Sequence, residues 1–402
     1  MLFALGVMLF ALGIVASVAL HECGHMWAAQ RLGMKVRRYF VGFGPTIFSW
    51  RRGETEYGLK ALPLGGFCDI AGMTALDELA PDEVDRAMYR QKPWKRVVVM
   101  SAGIGMNFVL GIVLIFVLAV GWGLPDLTPT DRALVGSVSC VAPQNLDGTL
   151  GECSGEGPAQ RAGIQPGDIV VAVNGAATPT WRDVVTKTQS LSGPTEFTIE
   201  RDGREQQLTV DVAQVQRAVR PAPNAEPELK QVGAIGIGLS DQITHYNMLT
   251  AIPGTLSFTG DMFVKTAQGL AQMPMKVAAL WDAVTGGERD PETPVSVYGA
   301  SVIGGEAADA GLWELFVLLL ASLNFFLGAF NLLPLLPLDG GHIAIVAFEK
   351  VRDWFRSRRG LLPGPPVDYT KLLPATYVVI VLGGAYMLLT LAADIINPIS
   401  IR

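Results

Sequence analysis

His21, Glu22 and His25 are the residues of this 402-residue chain whose types and spacing point most directly to chemistry. On a helix, His21 and His25 lie four positions apart and share one face. Two imidazoles placed that way can hold one zinc ion, with Glu22 beside it to take and return a proton. That combination lets a zinc-bound water attack a peptide carbonyl without a covalent intermediate. Cys23 is therefore read as a small residue packed in a helix face, not as a nucleophile.

The elements that must position this motif are apolar. Leu2 to Leu20 carries no charge and is long enough to cross a bilayer. The run has no basic start and no fitting cleavage site, and it continues through the motif to Ala29, which argues against a signal peptide. Ionisable residues at membrane depth are costly and usually functional. Half of the chain is hydrophobic and 17% is charged, which fits membrane spans better than a large soluble core. A net charge of -6 argues against a nucleic-acid partner.

Hydropathy divides the chain as follows. Residues 1–31, 97–124, 312–341 and 373–398 are expected to span the membrane. Residues 32–96 and 342–372 hold many Lys and Arg in short segments, so both are expected on the cytoplasmic side. The long region between spans two and three, and both termini, are then expected outside. Spans one and three both run inward under this orientation. His21 and His25 therefore meet Asp339 at one depth, although about three hundred residues separate them.

The stretch from Asn331 to His342 is unusual for a helix end. Pro334 and Pro337 cannot continue a helix, and irregular backbone at this depth needs protein or a water-filled cavity around it. Asp339, followed by Gly340 and Gly341, is placed to act as a third ligand. Two histidines, one carboxylate and an open fourth position make a catalytic zinc shell. A helix cap is the alternative role for Asp339, and His342 is a rival ligand.

These motifs together resemble the site-2 protease family of intramembrane metalloproteases, in particular its bacterial RseP-like group. Ser101 to Phe108 resembles that family's Ala-Gly-Pro-x-x-Asn-Phe stretch, with Ile104 where proline is usual. Gly42 to Pro45 and Ala61 to Phe67 resemble its membrane-associated β-loop. The resemblance implies zinc ligation by His21, His25 and Asp339, Glu22 as base, and a substrate-orienting role for Asn331. It also implies substrates that are single-pass membrane proteins, such as anti-sigma factors already trimmed by an upstream site-1 protease.

Tyr39–Trp50 and Tyr57–Phe67 read as two strands joined by a polar turn, an apolar hairpin able to dip into the lipid bilayer and capture an unwound substrate by strand addition. Outside, Arg161 to Gly175 resembles a PDZ domain, placed at 125–215. Gly167-Asp168 leads into a strand, Asn174-Gly175 marks a hairpin turn, and a second hairpin follows at Thr195–Glu200 and Glu205–Val212. Residues 144–157 look like an insertion, flanked by Cys140 and Cys153. An oxidising exterior makes a disulfide between them an expectation, one that staples a loop over or beside the peptide groove. Residues from 213 to about 230 read as a linker, and a linker and amphipathic juxtamembrane region is placed at 216–311.

The expected fold class is thus a polytopic α-helical membrane protein of about four transmembrane helices in the bacterial inner membrane. A membrane-associated β-hairpin and an extracytoplasmic PDZ domain of all-β or α+β type complete it. Two other functions use the same features: a membrane scaffold with a degenerate site, and a metal transporter. The intact His21, His25, Asp339 and Glu22 argue against the first. The scarcity of polar residues along spans two and four argues against the second.

Overall fold

The structure, a computed structural model, describes residues 2–125, 127, 132–145, 151–219, 228–239 and 243–401. The chain opens with α1 (Leu2–Arg31), β1 (Val36–Arg52), β2 (Thr55–Ile70) and α2 (Pro93–Gly121). A strand-rich stretch follows: β3 (Leu124–Pro125), β4 (Ala133–Val138), α3 (Pro158–Arg161), β5 (Ile169–Val173), β6 (Ala176–Ala177) and α4 (Trp181–Gln189). It continues with β7 (Gly193–Arg201), β8 (Arg204–Val219), β9 (Glu228–Ala234), β10 (Ile237–Leu239) and β11 (Ile243–Thr244). The remainder is helical: α5 (Ala251–Gln272), α6 (Val277–Val284), α7 (Val297–Asp309), α8 (Trp313–Asn331), α9 (Asp339–Arg358) and α10 (Leu373–Ile396). These elements form two compact units, one from residues 1–122 with 246–402 and one from 123–245.

In the helical unit, four helices among the described residues are long and apolar enough to cross a membrane: Leu2–Arg31, Pro93–Gly121, Trp313–Asn331 and Tyr369–Ile396. Pro93 begins α2 where its missing N–H costs nothing. The start of α1 packs on α7 through small residues, with Gly6 against Gly305 and Ala308. Such residues let membrane helices approach closely. A buried hydrogen bond from Asn324 Nδ2 to Ser17 Oγ, 3.0 Å, ties α8 to α1.

Span three ends earlier than the sequence suggested. The helix stops at Asn331, residues 332–338 form a non-helical turn with a cis Leu336–Pro337 bond, and Asp339 opens a new helix. Pro334 and Pro337 lack the N–H that a helix needs and disfavour helix at the residue before them. Gly340 and Gly341 pack against the backbone of residues 332–336, where a Cβ would have no room. Their service is close approach rather than a turn.

The hairpin also differs. Its arms are longer, Val36–Arg52 and Thr55–Ile70, and each doubles back on itself. Tyr57, Gly58 and Leu59 pair on one side with Tyr39, Phe40 and Val41 and on the other with Trp50, Ser49 and Phe48. Tyr39–Val41 pairs again with Cys68–Gly66. Two long arms therefore make a ribbon four segments wide, ordered 66–70, 36–41, 56–59, 48–52. The bends fall at Gly42, Gly44 and Gly65, all at positive φ. Phe40 is buried inside it, whereas Phe43, Ile47, Phe48, Trp50, Leu59 and Leu62 are exposed. At its base, Arg37 pairs with Glu83 and Asp77, and the guanidinium beside Glu83 holds that carboxyl down to about 2.

Within the region expected to be juxtamembrane, residues 248–284 hold two helices, α5 and α6. Pro253 fits the first turn of α5, and Pro274 lies in the short 3-10 turn that separates α5 from α6.

The second unit is a mostly antiparallel sheet in the order β10-β4-β5-β7-β8-β9, with β6 beside β5. Asn174 and Gly175, and again Asp202 and Gly203, have positive φ. That is the two-residue turn which keeps the strand twist continuous through a hairpin. Phe197, Ile199, Val170, Val173, Val210 and Ile164 form the core. Asp168 is buried and bound by Arg201 through two contacts of 2.6 Å. Residues 213–219, expected as linker, continue β8 and pair in register with 228–234. The backbone pairing overrides their mixed composition; residues 220–227 lie outside the described residues. Cys140 and Cys153 are joined by a disulfide, Cα–Cα 5.9 Å. Of the expected insertion 144–157, residues 146–150 lie outside the described residues. Both cysteines line a cavity of about 510 Å³ together with Trp181, Val184, Arg217 and Ile235.

Candidate metal centre

Three side chains from distant parts of the sequence converge at the end of α1. His21 and His25 project from one face of the helix, both buried, with their Nε2 atoms 3.1 Å apart. Asp339, from the first turn of α9, places Oδ2 at 3.2 Å from each of those nitrogens. Among the described residues, no other group of three or more His, Cys, Asp or Glu side chains is gathered this way.

Hydrogen bonding alone leaves the cluster incomplete. Asp339 Oδ2 is buried without a well-directed donor, an omission that costs about 1–3 kcal/mol. Each of the three atoms can act as a metal donor. Their separations of 3.1–3.2 Å lie close to the edge of about 3.3 Å for a tetrahedral zinc site with bonds near 2.0–2.1 Å. The donor set, its spacing and the orphaned oxygen all fit zinc.

The surroundings hold the donors in place. His25 Nδ1 lies 2.8 Å from the Val99 carbonyl on α2, and His21 Nδ1 lies 3.2 Å from the Asn107 amide on the same helix. Gly103 faces the His25 ring, and a Cβ there would collide with Nε2. Glu22 points toward the edge segment of the ribbon. Its Cγ lies where a Cβ on Gly66 would come within 3.2 Å.

The structure places the remaining candidates elsewhere. Asn331 closes α8, and its Nδ2 donates to the Leu327 carbonyl at 3.1 Å. His342 does not join the cluster: its Nδ1 lies 3.2 Å from the Tyr369 hydroxyl. Asn107, Gly103 and the Val99 carbonyl were not singled out from sequence. The only signal was the Ser101–Phe108 stretch, whose likeness to a family motif carried no assigned role.

Membrane-length helices, an His-Glu-x-x-His helix and a distant aspartate completing the pair define a membrane zinc metalloprotease of the site-2 type. The chain belongs to peptidase family M50, whose family model matches residues 9–362. It is 54% identical to the zinc metalloprotease Rip1 of Mycolicibacterium smegmatis, with 100% of both chains covered. The Rip1 zinc metalloprotease of Mycobacterium tuberculosis is 53% identical over 99% of each chain. The metalloprotease MmpA of Caulobacter vibrioides is 29% identical over 86% of each.

Proposed function

We propose that His21, His25 and Asp339 hold the catalytic zinc and that Glu22 is the base, in an enzyme that cleaves transmembrane segments of single-pass membrane proteins. The observation that carries this reading is the three-donor cluster with its orphaned Asp339 oxygen at the end of a membrane-length helix. When bound, zinc supplies a Lewis acid and lowers the pKa of a water toward about 7.

The protein's own groups do the rest. Glu22 takes a proton from the attacking water and returns it to the leaving amine. Its place against Gly66 sets the cleavage point beside an edge of the β-ribbon. A helical substrate hides its carbonyls, so it must unwind first. Residues 66–70 form an outer segment of that ribbon, where an unwound strand can add by backbone pairing. The exposed Phe43, Ile47, Phe48 and Leu62 seat the ribbon in lipid. Asn331 orients the bound segment.

The Lys and Arg bias of residues 32–96 and 342–372 puts the metal end of α1 toward the cytoplasm. It puts the sheet unit outside, where a Cys140–Cys153 disulfide is stable. We read that unit as a PDZ domain that screens substrates. The substrates are anti-sigma factors shortened by a first, site-1 cut.

Reconstitution of the purified protein with a single-span substrate tests the reading. Cleavage is expected in the wild type and absent with Glu22→Ala or a chelator. Cleavage that survives Glu22→Ala overturns the mechanism.

A further inference from the structure

The two histidines are held differently, and the difference assigns a role to Asn107. A carbonyl oxygen can only accept, so the Val99 contact puts the hydrogen of His25 on Nδ1 and leaves the Nε2 lone pair facing the cluster. His21 meets a side-chain amide instead, which can either donate or accept. As oriented, Asn107 Nδ2 faces His21 Nδ1 at 3.2 Å, while Asn107 Oδ1 is buried with no hydrogen-bond partner. Asn107 as a whole is 1% exposed, so no solvent relieves that oxygen.

The two orientations of the amide correspond to the two tautomers of His21. With Nδ2 toward the ring, Nδ1 accepts and the hydrogen sits on Nε2, facing Asp339. That form cannot bind a metal through Nε2. A half-turn of the amide exchanges its oxygen and nitrogen with little change of shape. Oδ1 then accepts from Nδ1–H and the Nε2 lone pair turns to the cluster, while Nδ2 takes the buried place that Oδ1 leaves.

We infer that Asn107 is a positioning residue that selects the metal-binding tautomer of His21 through its Oδ1, as the Val99 carbonyl does for His25. The inference rests on the reading of His21 as a ligand. Partners of this kind around ligating histidines are worth about 10–100-fold in metal affinity.

The test is zinc affinity of the full-length protein in detergent, measured by competition with a chromophoric chelator. The visible spectrum of the cobalt-substituted protein reports ligand geometry. Asn107→Leu removes the acceptor at similar volume; Asn107→Asp keeps the acceptor and lacks the amide donors. The expected result is zinc affinity about 10–100-fold weaker in Asn107→Leu, with a perturbed cobalt spectrum, and affinity within a few-fold of wild type in Asn107→Asp. Wild-type affinity in a folded Asn107→Leu overturns the inference, and so does equal weakening in both variants. If the leucine variant does not fold, Asn107→Asp decides alone: retained affinity supports the acceptor role and a tenfold loss refutes it. His21→Ala is the control for the underlying reading. Unchanged zinc affinity there removes His21 from the ligand set, whereas loss there with none in Asn107→Leu rejects only the role of Asn107.

Discussion

Asp339, partly buried, and Asp394, fully buried, are aspartates of the same helical unit, and their surroundings treat them in opposite ways. Asp394, near the end of α10, has a side chain only 1% exposed. It is neutralised by Arg289 at 2.8 Å and also accepts the Ser296 backbone N–H. Asp339 faces two imidazoles and keeps one oxygen without a directed donor. Each oxygen of the aspartate that fastens helices has a partner, although Arg289 Nε and Nη1 on the other side of that pair do not. The aspartate of the three-residue cluster is left short by one.

The sharpest way to break this contrast is to remove each group and read activity and stability separately. Asp339→Ala is expected to lower cleavage by more than about 100-fold, beyond what a supporting residue costs, while the thermal midpoint stays or rises because a buried orphan is gone. An Asp339→Ala protein that unfolds yet still cleaves in its folded fraction would reverse the two roles. Asp394→Ala leaves the Arg289 guanidinium buried and unpaired, an expected loss of about 3–5 kcal/mol in denaturant titration. Activity per folded molecule should remain within a few-fold of wild type, and pairing it with Arg289→Met should recover much of the stability.

Zinc itself separates the two aspartates at a smaller scale. At a free concentration 100 times Kd, zinc should stabilise the wild-type protein by about 2.7 kcal/mol. Asp394→Ala should keep that increment and Asp339→Ala should lose it, as followed by thermal melting with and without chelator. The smallest effect concerns how Asp394 is held. The Ser296 side chain caps α7 by accepting the Gly299 N–H, while its backbone N–H serves Asp394. Ser296→Ala therefore removes the cap alone, about 1 kcal/mol. A loss as large as that of Asp394→Ala would mean that the hydroxyl belongs to the charge cluster.

The parts of this arrangement that sequence revealed are the local ones. His21, Glu22 and His25 declare themselves because i and i+4 fix their mutual position on any helix. Asp339 could be brought to them because charge bias sets helix direction, and direction sets depth. What direction cannot give is the break after Asn331. The apolar run continues to Leu338, and only the two prolines mark that a second helix begins at Asp339. The ribbon was hidden for a related reason. Alternation reveals a strand but not that Tyr57–Leu59 is paired on both sides, which depends on bends at glycines far along both arms. Asn107 was invisible as a partner of His21 because their contact spans 86 residues between two helices. Residues 213–219 read as linker because their strand identity comes from a neighbour, not from their own composition.

One consequence of α2 concerns tolerance. It donates nothing to the cluster, yet its Val99 carbonyl holds His25, its Asn107 holds His21, and its Arg96 reaches Glu349 on α9 at 2.7 Å, the helix that Asp339 opens. Catalytic constellations must keep their geometry to within about 0.5 Å. Three parts referenced to one rigid 29-residue helix meet that demand in a particular way. Because all three supports lie on one helix, a shift of that helix acts on His21, His25 and α9 at once rather than on one of them alone.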